Sequence, residues 1–121
     1  MSQNESGIKM VFLDGPNGPQ LETPECPAVG VALSSVGNRT DSHFLVTLES
    51  HIHLVLSGRY PAACVSDDEI AADISPNRVE FIISEMSDGS ATFRDEISTQ
   101  QCLQLLDCWK RHLAEYENPA D

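Results

Sequence analysis

HFLVTLESHIHLVLS, residues 43–57, carries the strongest periodicity in the chain. Phe44, Val46, Leu48, Ile52, Leu54 and Leu56 share one parity, broken at Ser50, while His43, Thr47, Glu49, His51, His53 and Ser57 share the other. Side chains alternate across a strand, so this run predicts one long, bent strand with a buried and a wetter face. A pair of strands turning near Ser50 is the other arrangement the run allows.

The flanking segments extend the same pattern. Upstream, Ile8, Met10 and Phe12 alternate with Lys9, Val11 and Leu13 as a first strand, stopped by Asp14-Gly15-Pro16-Asn17-Gly18-Pro19, a dense turn signal. Residues 20–28 read as an extended surface loop, and 29–36 as a second strand with Val29, Val31 and Leu33 on one face. Downstream, Ile70, Ala72 and Ile74 form a strand, Ser75-Pro76-Asn77-Arg78 a turn, and Val79, Phe81 and Ile83 the next strand. Asp88-Gly89 is a hairpin signal leading into a short strand around 92–97. No crossover helix is expected before residue 98, which favours antiparallel pairing.

After residue 98 the period changes. Cys102, Leu105, Leu106, Trp109, Leu113 and Tyr116 recur at steps of three and four, an apolar helical stripe. Ser98 and Gln101 fit a capping box, in which each side chain covers an unpaired donor at the helix start. Asn118-Pro119 ends the helix. The expected fold is therefore α+β, an antiparallel sheet of about five to six strands (a meander or partly closed barrel) packed against one C-terminal helix. Residues 1–121 are read as a single domain, frayed at 1–6 and 118–121; area scaling for 13.2 kDa buries roughly two thirds of the unfolded surface.

Nineteen acidic against seven basic residues give a formal charge of −12. Such a field repels nucleic-acid phosphates and anionic membranes and attracts a basic partner. No apolar run approaches the roughly 20 residues of a membrane span, and the N-terminus lacks the pattern of a signal peptide. A cytoplasmic location with reduced thiols at Cys26, Cys64, Cys102 and Cys108 is the matching expectation. On a helix, Cys102 and Cys108 stand about 9 Å apart along the axis, too far for a disulfide.

Two constellations are candidate sites. Between Asp67 and Glu96 only Arg78 and Arg94 are basic, so the segment alone carries −7; Asp67, Asp68, Glu69, Asp73 and Glu80 are its candidate partner-binding residues. Glu49, His51 and His53 line one face of the expected strand and could offer two imidazoles and a carboxylate to Zn²⁺ or Fe²⁺. There is no Gly-x-Ser-x-Gly elbow and no Gly-rich phosphate loop. Cys26 and Cys64, in loop-like surroundings, are the candidates for a nucleophile, against the commoner role of cysteine as a small buried hydrophobe. No catalytic residue and no cofactor is assigned. The leading expectation is a non-catalytic acidic module that binds a basic protein, an inhibitor of the immunity or antitoxin kind. A small metal-binding protein or metal-dependent enzyme using the His-x-His strand is the alternative, and a structural or antigenic protein the third reading.

Overall fold

The computed structural model describes residues 7–16, 18–67, 69–84 and 92–117. In chain order it contains β1 (Val11–Gly15), β2 (Gly18–Glu22), α1 (Pro27–Val36), α2 (His43–Leu56), β3 (Ala63–Asp67), β4 (Ile70–Ile74), β5 (Arg78–Ser84), β6 (Thr92–Ser98) and α3 (Thr99–Glu117). It is an α+β fold with antiparallel pairing throughout, but the strands form two sheets. β1 and β2 make a two-stranded hairpin, and β3-β4-β5-β6 form a four-stranded meander. The single five- to six-stranded sheet of the sequence reading is thus divided, and three helices replace one.

Residues 43–57 are the main correction. They form α2, not a strand, because a second apolar set competes with the alternating one. Phe44, Leu45, Leu48, Ile52 and Val55 are buried, and at about 100° per residue they fall within an arc of roughly 100°, one helical stripe. The alternating reading needs Val46 inside, yet it is 52% exposed. Ser42 starts the helix by accepting the Leu45 N–H at 3.3 Å on its hydroxyl.

Residues 29–36 are corrected in the same way. They belong to α1, opened by Pro27 in its first turn, a position where the missing N–H costs nothing. Ala28, Val29, Ala32 and Leu33 are buried, whereas Val31, placed inside by the strand reading, is exposed. Gly30 is required within this helix: a Cβ there would lie 2.7 Å from the Leu21 carbonyl oxygen and 3.0 Å from Thr23. Helices therefore do precede residue 98, and β2 occupies part of the expected 20–28 loop. β3 has no counterpart in the sequence reading.

The second half follows its sequence signals. β4, β5 and β6 stand where expected, and the Ser75 N–H donates to the Arg78 carbonyl at 2.9 Å across the β4–β5 turn. The Asp88-Gly89 turn and the chain ends lie outside the described residues. At the head of α3, Gln101 Oε1 accepts the Ser98 N–H at 3.0 Å while Ser98 Oγ accepts the Gln101 N–H at 2.9 Å, a closed capping box.

α2 packs across β3 and β4, and α1 and α3 pack across β5 and β6. Val65, Ile70, Ala72, Ile74, Val79, Phe81, Ile83 and Ile97 face this helical layer and join the buried faces of all three helices in one apolar cluster. Trp109 is its largest member, fully buried, with Nε1 donating to the Gly37 carbonyl at 2.8 Å. Among the described residues, no helix covers the opposite face of the meander.

Candidate functional site

Because strand side chains alternate, the residues between the buried positions share the open face. Register places Cys64, Asp73, Glu80 and Glu96 side by side on the four strands, and Ser66, Ala71, Ile82 and Arg94 in the next row. Neighbouring strands lie about 4.8 Å apart, so Asp73, Glu80 and Glu96 form a short ladder of carboxylates. Two guanidiniums brace it diagonally: Arg78 reaches Glu96 at 3.2 Å and Arg94 reaches Glu80 at 3.4 Å. Exposed pairs of this kind contribute little to stability, about 0–1 kcal/mol each, and remain available to rearrange. One end of the face opens into a pocket of about 420 Å³ whose walls include Cys64, Asp73, Ser75, Arg78 and Glu80. Cys64 is exposed, and only partial desolvation raises its thiol, with the adjoining Asp73 carboxylate adding to the rise through a hydrogen bond and its charge. That is the reverse of what an activated nucleophile needs. Cys26 is buried at the entrance to α1, and its thiol is likewise raised, mainly by desolvation.

Of the expected partner-binding residues, Asp73 and Glu80 are direct cross-strand neighbours on the open face. Asp67 and Glu69 instead stand at the β3–β4 turn, and Asp67 has the parity of buried Val65, which turns it toward the helical side. Asp68 lies outside the described residues. The carboxylates thus divide between a face and a turn.

α2 also rearranges the Glu49-x-His51-x-His53 triplet. Two helical residues are about 200° of rotation, so His51 points away from Glu49 and His53, which lie about 40° apart. Glu49 is taken up in an ion pair with Lys110 of α3, and His51 Nδ1 lies 2.9 Å from the Thr47 carbonyl oxygen one turn earlier. Among the described residues no group of three or more His, Cys, Asp or Glu side chains is placed to hold one metal ion. His112, on α3, stacks on Phe12 with ring centroids 4.2 Å apart.

One structural carboxylate escaped the sequence reading. Asp95 sits on the helical side of β6, half-buried, and accepts the Ala28 N–H at 2.8 Å on Oδ2. Cys26, at the N-cap of α1, makes no side-chain cap of its own; Thr23 Oγ1 accepts the Gly30 N–H locally, while the Ala28 N–H is capped from 67 residues away. Local sequence carries no sign of that; only the alternation Arg94–Asp95–Glu96 hints that one of three charges must face inward. No family model matches the sequence, and neither a curated protein nor a solved structure matches it at a significant level. Among the described residues no helix is long and apolar enough to cross a membrane.

Proposed function

We propose that this chain is a non-catalytic protein-binding module that presents its open sheet face to a basic protein partner, as an inhibitor of the immunity or antitoxin kind does. The observation that carries the reading is the Asp73–Glu80–Glu96 ladder on a sheet face that no helix covers among the described residues, set in a chain of net charge −12. Carboxylates in a row at strand spacing match lysines or arginines on a partner surface, while the acidic field speeds encounter over long range. The raised thiols of Cys26 and Cys64 lend support by weakening the nucleophilic alternative.

The test is the association rate of the partner recovered by affinity capture from native lysate. Association is expected to slow markedly from low to physiological salt, as the Debye length falls from about 30 Å at 0.01 M to about 8 Å at 0.15 M, with dissociation changing less. The double variant Asp73→Asn, Glu80→Gln should slow association at low salt, whereas Asp67→Asn with Glu69→Gln, at the turn, should do less. Glu115→Gln on α3 serves as the control. Wild-type rates for the Asp73, Glu80 variant at low salt would refute the reading.

A further inference from the structure

β6 is an edge strand, paired with β5 on one side and with no strand on the other among the described residues. Unpaired edges are templates for a further strand. The central residues of β6 read Phe93-Arg94-Asp95-Glu96-Ile97, and Arg94 and Glu96 both stand on the open face, more than half and about half exposed respectively. This segment is complementary to itself. A second copy laid antiparallel along β6, with a two-fold axis through Asp95, sets Arg94 of each chain opposite Glu96 of the other. A shift by one residue would oppose open-face side chains to helix-side ones. A shift by two would oppose Glu96 to Glu96 or Arg94 to Arg94, and like charges directly opposite are destabilising.

We infer that β6 is a self-association edge, joining two chains through an antiparallel β6–β6 pair centred on Asp95 into one eight-stranded sheet. This goes beyond the docking role of the open face and does not depend on it. The row Asp73–Glu80–Glu96 then ends on the Arg94 of the second copy, which adds a cation at the outer end of the ladder. Each Asp95 meets its counterpart at the axis, where each is already held by the N–H of Ala28 at the start of α1. The positive end of that helix offsets part of the repulsion. A joint formed by one seven-residue strand is at the small end of interface sizes. The dimer is correspondingly weak.

Sedimentation velocity of the full chain from micromolar to millimolar concentration tests this. Wild type is expected to shift from monomer to dimer. Arg94→Glu and Glu96→Arg should each weaken the dimer by roughly tenfold or more, because every reversal acts at two symmetric contacts. An equimolar mixture of these two variants should recover it, since one chain then offers carboxylates at both positions and the other guanidiniums at both. Circular dichroism checks that each variant keeps its fold; should either unfold, Arg94→Gln and Glu96→Gln replace them, with a smaller weakening expected. A wild-type chain monomeric to millimolar concentration would mean that these charges guard the edge instead, and the inference fails. It fails equally if charge changes leave the dimer unaltered or if the mixture does not associate better than its components.

Discussion

Replacing Asp95 by Ala removes the side chain that reaches the Ala28 N–H across the fold, and the cost can be worked out from its surroundings. That N–H is one of the four at a helix start without an intrahelical acceptor. Its neighbours are covered locally, Val29 by the Cys26 carbonyl at 3.0 Å and Gly30 by Thr23 Oγ1 at 2.9 Å. A hydrogen bond to a charged group contributes about 1.5–3 kcal/mol net, and loss of an N-cap costs about 0.5–2 kcal/mol. Asp95 is half-buried, so the overlap of these ranges applies, and Asp95→Ala should cost about 2 kcal/mol. Asp95→Asn keeps an acceptor but loses the charge that meets the helix dipole, so about 1 kcal/mol is expected. Urea denaturation followed by Trp109 fluorescence measures both, at submicromolar concentration so that edge pairing does not enter. Hydrogen exchange at Ala28 locates the effect, with faster exchange expected for the Ala variant. If Ala and Asn cost the same, or each costs less than about 0.5 kcal/mol, the cross-fold cap does not stabilise α1 and the assignment is wrong.

Trp109→Ala should cost about 3–5 kcal/mol by calorimetry, because it empties the largest buried site and strips the Gly37 carbonyl of its donor; native Trp109 emission should be blue-shifted, and a solvent-like maximum would contradict its burial. Complete burial pushes the Cys102 thiol far above its ordinary value of 9.0. The unfolded chain alone can then release that proton, so Cys102 leaves stability untouched below about pH 9 and lowers it above, by up to about 1.4 kcal/mol per pH unit. Urea midpoints from pH 8 to 10 should fall less steeply in Cys102→Ala, and an unchanged slope would contradict the burial.

The second half of this chain was legible because its signals are local. Ser98 and Gln101 cap α3 through side chains three residues apart, and the stripe from Cys102 to Leu113 has a period that no strand imitates. Only Tyr116 at its end turns out exposed. The first half misled because Leu, Val and Ile crowd residues 43–57 on both parities: Leu45 and Val55 fit a helix, Val46 and Leu54 a strand, and tertiary burial decides between them. Ser42 and Pro27, each just where a helix begins, were the signals to weigh. With α2 misread, the Glu49, His51, His53 face could not be placed. Asp73 and Glu80 were legible as a pair because the Ser75–Arg78 turn fixes their register. The cap from Asp95 and the Glu49–Lys110 pair were not, since their partners lie 67 and 61 residues away.

The way α3 closes the structure bears on how the chain is made. The link between α1 and α2 is held from the far end of the sequence: Gly37 by Trp109, and Thr40 by Glu117, whose carboxylate accepts both the N–H at 2.9 Å and the hydroxyl at 2.6 Å. A ribosome adding about 5–20 residues per second finishes α1 and α2 several seconds before these partners leave the exit tunnel. Through that interval Leu33, Phe44 and Leu48 have no completed core to enter. Until Trp109 and Glu117 arrive, Gly37 and Thr40 lack the partners that hold them in the finished fold, so the link between the first two helices is set only when the chain is nearly complete.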